Sequence, residues 1–196
     1  MSKNSRALVS RALFPVALVT LLLPLWGADA RAEAPSPRKE PTLAHRDEKD
    51  PRWVWGTVTV DTPQDQVWSR FQQVESWPSM LSDIARMKVS DHKDRHWSVD
   101  LETKTLGHGM LGYDVDASAD QVIRLRTDTL GVHALAVTRI LPGPSVGKTN
   151  VSYALFLELK GAPSLLISQK SLREKQDHMV SVTLADIRRS FASAPP

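Results

Sequence analysis

Two hydrophobic periods succeed one another along the chain, and their order predicts the architecture. Trp53 to Val60, WVWGTVTV, is rich in β-branched and aromatic residues and predicts a strand. Asp61-Thr62-Pro63 closes it, and a cap residue followed by Pro at the first helical position predicts a helix start. In that helix Val67, Trp68, Phe71 and Val74 form one apolar stripe. Glu75 to Met80, interrupted by Pro78, predicts a short turn-like helix. From Ile84 the period changes from about 3.6 residues to about 2.

Ile84 to Ser90 predicts a strand that ends at the polar turn His92-Lys93-Asp94. His96 to Thr105 then alternates, with Trp97, Val99, Leu101 and Thr103 on one side and His96, Ser98, Asp100, Glu102 and Lys104 on the other. That pattern predicts a half-buried antiparallel strand. After Gly107-His108-Gly109, Leu111, Tyr113, Val115 and Ala117 alternate with Gly112, Asp114, Asp116 and Ser118. Ile123, Leu125 and Thr127 alternate with Arg124, Arg126 and Asp128. A three-residue loop over Ala119-Asp120-Gln121 sets Ser118 opposite Val122, Asp116 opposite Arg124 and Asp114 opposite Arg126. A two-residue loop would mix the faces, because a one-residue slip inverts every side chain.

Val132 to Leu141 and Val151 to Leu159 predict two more strands. In the second, Val151, Tyr153, Leu155, Leu157 and Leu159 form one apolar row. In the first, both faces are apolar and the inward one stays unassigned. Lys160-Gly161-Ala162-Pro163 breaks the sheet. Ser164 to Ser193 reads as a long helix, with Leu165, Leu172, Met179, Val180, Leu184, Ile187 and Phe191 on its stripe. The order is strand, helix, short helix, six strands, long helix, an α+β chain without solenoid repeats.

The N-terminus follows other rules. Met1 to Arg11 is short and positive, Ala12 to Trp26 is an apolar run, and Ala28-Asp29-Ala30 and Ala30-Arg31-Ala32 are small-x-small pairs. This is the layout of a secretory signal. The run is broken by Pro15 and Pro24 and falls short of the roughly 20 residues that span a bilayer. Retention as an uncleaved anchor is the alternative. Residues 33–51 are rich in proline and charge and read as a flexible linker, with His45 solvated. The expected organisation is a signal peptide over 1–32, a linker over 33–51 and one domain over 52–196, in a periplasmic or secreted protein.

Composition changes this picture in two ways. The chain has 196 residues and no cysteine, which removes disulfides, thiolate metal sites and Cys nucleophiles. The net charge of +3 lies wholly in the first 32 residues, where four cations face one anion; the other 21 cations balance 21 anions. No basic excess is left in the domain to argue for nucleic acid. The six tryptophans therefore read as core or signal residues rather than a stacking platform.

Three catalytic patterns match in letters and fail in context. Gly107 to Gly112 is a literal GxGxxG, but a dinucleotide fingerprint must open a helix, and here a strand follows. Gly143-Pro144-Ser145-Val146-Gly147 is a literal GxSxG, but strands flank it where a nucleophile elbow needs strand then helix. Gly143 to Thr149 also falls one residue short of a phosphate-binding loop. His92 and His96 have the spacing of a zinc helix but sit in a turn, with His108 and His133 elsewhere. His178 reads as a surface residue. No metal and no cofactor is implied.

The element order, and the stretch VWGTVTVDTPQDQVWSRFQQVESWP above all, resembles the START-like superfamily, also called SRPBCC. The shared pattern is a strand (Thr57 to Val60), a small residue and Pro (Thr62-Pro63), a helix with Val67-Trp68, and then Trp77-Pro78. Residues 161–167, GAPSLLI, resemble the family's Pro-containing passage into its C-terminal helix. Ile140-Leu141-Pro142 fits loosely, with Thr138 and Arg139 where an aromatic often precedes it. The resemblance spans roughly Trp53 to Ala192. It implies a helix-grip fold, in which a curved six- to seven-stranded antiparallel sheet wraps the long C-terminal helix around an apolar cavity.

The leading expectation is an exported, non-catalytic carrier of a hydrophobic small molecule such as a lipid, isoprenoid or polyketide-like compound. Alternation nominates Trp97, Val99, Leu101, Tyr113, Val115, Leu125, Tyr153, Leu155, Leu157 and Met179 as its lining. A cyclase or dehydratase using the same cavity is a second reading. It needs an inward acid or base, and the clean strands offer only Tyr113 and Tyr153, with His133 unassigned. A solid module that docks onto an envelope partner is the third. The expected chain is a monomer, and transient contact with a membrane stays open.

Overall fold

The computed structural model describes residues 43–107 and 109–192. The expected signal and most of the expected linker lie outside the described residues. Eight antiparallel strands form one curved sheet, in the order β1-β2-β8-β7-β6-β5-β4-β3. Their bounds are β1 His45–Arg46, β2 Trp53–Val60, β3 Ile84–Lys93, β4 His96–Thr103, β5 Leu111–Ser118, β6 Val122–Thr129, β7 Val132–Pro142 and β8 Thr149–Leu159. Between β2 and β3 come α1 (Gln64–Gln72), a single 3₁₀ turn and α2 (Trp77–Met80). After β8 come α3 (Ala162–Leu166) and α4 (Gln169–Ser190).

The amphipathic rows place the core. Val54, Val58 and Val60 of β2, Trp97, Val99 and Leu101 of β4, and Leu111, Tyr113, Val115 and Ala117 of β5 are buried on one side of the sheet. Against them α4 buries Leu172, Met179, Val180, Leu184 and Ile187. Gly56 continues the inward row of β2 and lets the helix close in. A Cβ there would sit 2.5 Å from Leu184 Cδ1 and 2.3 Å from the carbonyl oxygen of Leu43.

Register follows the charge pattern. Ser118 pairs with Val122, Asp116 with Arg124 and Asp114 with Arg126, across the three-residue loop. Gln121 takes φ +59° to close it. The unassigned strand resolves: β7 buries Val132, Ala134, Ala136, Thr138 and Ile140. The two glycine-bearing loops each join two strands, β4 to β5 and β7 to β8.

Four expectations need correction. Among the described residues the sheet has eight strands, because residues expected to be linker form β1 and pair with β2. Arg46 holds this arm in place, donating to the carbonyls of Pro51 at 2.5 Å and Arg173 at 3.1 Å, to Gln176 Oε1 at 3.1 Å, and pairing with Asp177. His45 is exposed but lies 5.3 Å from the Trp55 ring, centre to centre. Second, β3 continues through the expected turn to Lys93, and the chain reverses at Asp94 with φ +56°. Its polar edge residues carry no alternation, so the sequence hides its length.

Third, Pro63 precedes the first turn of α1 instead of standing inside it, and the Thr62 hydroxyl donates to the Phe191 carbonyl at 3.3 Å. Fourth, the single long helix is two. Ile167 is extended, and Ser168 caps α4 by accepting from the Ser171 N–H at 3.1 Å. Leu165 therefore leaves the buried stripe and is 86% exposed on α3.

Candidate functional site

A cavity of about 90 Å³ lies between the sheet and α4. Its cause is visible in one cross-strand ladder. Trp97, Val115, Leu125, Ala136, Leu155 and Val54 stand side by side on β4, β5, β6, β7, β8 and β2. Leu125 and Leu155 flank Ala136, and Ala134 sits between Thr127 and Leu157 one pleat away. Two alanines thus replace bulk at the middle of a leucine-rich wall. The helix does not fill the gap, because Met179, Thr183 and Ile187 border it.

Of the ten residues expected to line the cavity, the structure brings seven to it: Leu101, Tyr113, Leu125, Tyr153, Leu155, Leu157 and Met179. Trp97, Val99 and Val115 do not reach it. They are buried farther along the sheet, where alternation gives the inward face but not the position of the void. Trp97 stacks on His92 instead, with ring centres 4.6 Å apart and planes 14° from parallel. Its indole N–H is buried without a partner among the described residues.

Sequence reasoning missed the rest of the wall. Phe71 and Trp77 close one side, and Leu81, Asp83, Ile84 and Leu106 form the mouth. Phe71 was visible as a stripe residue, and the alanine pair was visible inside the ambiguous strand. Ile84 opens a strand that the sequence predicts, whereas Leu81, Asp83 and Leu106 lie in loops that no period marks.

The volume corrects a further expectation. About 90 Å³ is less than the roughly 150 Å³ of a cavity that holds benzene, and far below the roughly 300–1,000 Å³ of drug-sized sites. Large aromatic and branched side chains from α1, α2 and the mouth occupy the remaining space. The cavity as it stands is smaller than a single ring needs, so a ligand must widen it.

Its polar groups are two phenols, three threonine hydroxyls and one carboxylate. Burial pushes the Tyr113 hydroxyl up to about 12. Burial pushes Tyr153 up further, the neighbouring Tyr113 adds to the rise, and the Thr183 side chain opposes it. Both phenols stay protonated across the physiological range and can donate a hydrogen bond. The carboxylate of Asp83, at the mouth, already accepts from the Thr105 N–H at 3.0 Å and its hydroxyl at 2.6 Å. The cavity therefore offers two phenols and the hydroxyls of Thr103, Thr138 and Thr183, with the Asp83 carboxylate at its edge.

The mouth loop is held from below. Asp186, 2% exposed, accepts from the Ser82 N–H and hydroxyl at 2.6 Å each. Lys104 Nζ donates to the Ser82 carbonyl at 2.6 Å. These bonds tie the α2–β3 loop to α4 and to the β4–β5 loop.

The histidines do not converge. His92 covers Trp97 on the inner side of the sheet, while His96 bonds Asp116 at 2.8 Å on the outer side. That contact raises the His96 pKa. His133 lies on the outer face of β7, against Phe156. His108 is outside the described residues. Among the described residues no group of three or more His, Asp or Glu could hold a metal, and no helix is long and apolar enough to cross a membrane.

No protein-family model matches the chain, and no curated protein matches it. Solved structures do. The Zhui aromatase/cyclase from Streptomyces sp. R1128 superposes with a TM-score of 0.60 at 17% identity, over 70% of this chain and 92% of that one. A START superfamily protein from Mycobacterium smegmatis gives 0.61 at 14%, over 71% and 96%. The human StarD13 lipid transfer and protein localization domain gives 0.53 at 19%, over 72% and 78%. The likeness establishes a START-like, helix-grip fold.

Proposed function

We propose that this chain is an exported, non-catalytic binder of a hydrophobic small molecule held between the sheet and α4. The observation that carries the reading is the alanine pair. Ala134 and Ala136 leave a void in a wall whose neighbours in register are Leu125, Leu155 and Leu157. Native cores contain few voids, since each one forfeits dispersion contacts along its lining. A ring or branched chain would restore them, and apolar burial would supply about 25 cal/mol per Å² before ordering costs. Tyr113 and Tyr153 would donate to an acceptor on the ligand.

A ring already requires the loops at Leu81–Asp83 and Leu106 to part a little, and anything larger requires more. That makes a compact aromatic, or the ring end of an isoprenoid or polyketide-like compound, the best fit. Export rests on the three-part pattern of residues 1–32, and a monomeric state in transient contact with a membrane completes the reading. The likeness to a lipid transfer domain supports a ligand-binding role.

The test is native mass spectrometry of the purified chain beside its denatured mass. An excess mass lost on denaturation is expected, and it disappears in Ala136→Leu, which fills the void. A ligand retained by Ala136→Leu would overturn the reading.

The second reading is a cyclase-type enzyme, which the likeness to an aromatase/cyclase favours. Its candidate cavity acids are the two phenols, beside the Asp83 carboxyl at the mouth. Full turnover of an identified substrate by a Tyr113→Phe, Tyr153→Phe double variant would remove them as the acid.

A further inference from the structure

We infer that the end of the molecule around α3 is a docking crest that inserts into the surface of a lipid bilayer. The helix α3, APSLL, has no buried residue. Its Leu165 and Leu166 are 86% and 83% exposed. Beside it, the β6–β7 turn presents Leu130, 75% exposed. The two segments are contiguous: the Lys160 N–H donates to the Gly131 carbonyl at 2.7 Å, and a Cβ at Gly131 would meet Pro163 at 3.2 Å. Met110, 37% exposed, opens β5 at the same end. Two contiguous segments thus present three exposed leucines, and Met110 lies at the same end of the strands.

The turn is informative in itself. Leu130 and Gly131 take φ +52° and +77°. Two-residue hairpins of this kind favour Asn or Asp before Gly, because a bulky side chain is strained at positive φ. Here a leucine occupies the strained position and points no polar atom at water. Local folding does not explain that choice, whereas an apolar partner does.

The area identifies the partner. Four such side chains offer on the order of 400 Å² of apolar surface. A stable protein interface needs roughly 800 Å² per partner, with matching shape. A bilayer needs neither, since lipid tails conform to whatever enters them. Charge is nearly even around the crest. Lys160 is paired with Glu158 at 3.2 Å, and Lys170, at the start of α4, with Glu174 at 4.0 Å. Insertion of the leucines carries the affinity, and lysine stems on the rim extend toward headgroups. The mouth residues Leu81, Asp83 and Leu106 lie at this same end. The crest rests on the membrane contact of the proposed reading and gives it a surface, whereas an empty cavity would leave it intact, so cavity and crest fail separately.

The chain has no cysteine, so a single Leu165→Cys substitution gives one attachment point for an environment-sensitive dye. Val146→Cys, at the fully exposed β7–β8 loop on the opposite end, is the reference. Both are made in the full chain, with folding checked by circular dichroism. The vesicles are phosphatidylcholine alone or with one-fifth phosphatidylglycerol. The expected result is a several-fold rise in emission at position 165, quenched by a lipid-borne quencher, only weakly dependent on phosphatidylglycerol and retained in high salt. Position 146 stays unchanged. No rise at 165 overturns the inference. So does an equal rise at 146, which would mean attachment through another segment. A rise at 165 without vesicles that grows with protein concentration also overturns it, in favour of a second copy of the chain.

Discussion

The ladder that crosses the sheet has two unlike halves. At one end Trp97 and Val115 pack solid, 3% and 0% exposed, beneath the ring of His92. At the other Leu125, Ala136 and Leu155 face a void. Both halves have the same alternation, the same sheet and neighbouring strands. What differs is side-chain volume at β7, where alanine stands in a row of leucines. Alternation decides which face is buried; volume decides whether the buried face is filled. A binding site in this fold is a deficit of volume, held open by a helix that packs firmly on either side of it.

The largest effect that would sharpen this contrast lies in the solid half. Trp97→Ala is expected to cost about 3–5 kcal/mol, the usual range for truncating a buried aromatic. Chemical denaturation would measure it, and a loss under about 1 kcal/mol would mean that this half is as loosely filled as the other. Overpacking comes next. Val115→Leu adds one carbon where Trp97 and Leu125 stand directly alongside, and is expected to cost about 1–3 kcal/mol.

The matching change in the hollow half should cost less. Ala136→Leu adds three carbons, yet the void receives them, so the stability change is expected to stay within about 1 kcal/mol. The Val115→Leu and Ala136→Leu midpoints, compared side by side, measure the contrast directly. If the larger addition at Ala136 is the more damaging, the void is not available to a side chain or to a ligand.

Much of this was legible in the sequence for a physical reason. Inward rows, the β5–β6 register and the failure of the glycine motifs follow from period and charge, which are local. Seven lining residues followed from the same rows. What escaped was non-local. The docking of Arg46 on α4 depends on Gln176 and Asp177, about 130 positions away, and no local pattern announces it. The mouth at Leu81, Asp83 and Leu106 is built from loops. The break between α3 and α4 was hidden because Ser168 is an ordinary residue until its capping bond is seen. Trp97, Val99 and Val115 were assigned to the lining because period 2 cannot tell a filled position from a bordering one.

The smallest effect at ordinary pH is the most specific to the hollow half. The chain has two tyrosines, and both border the cavity, so phenolate absorbance reports on it alone. An unfolded tyrosine ionises near about 10. In the folded chain burial holds Tyr113 up to about 12 and Tyr153 higher still. The folded state therefore keeps protons that the unfolded state releases between these values. By linkage its stability is fully present below pH 10 and falls as pH rises toward 12. A titration of the folded chain should show no phenolate step near pH 10, and urea midpoints should decline only above it. A full step near 10 would mean that water reaches both hydroxyls freely. The void would then be a wet cleft, and the contrast between the two halves of the ladder would rest on solvent access and not on missing volume.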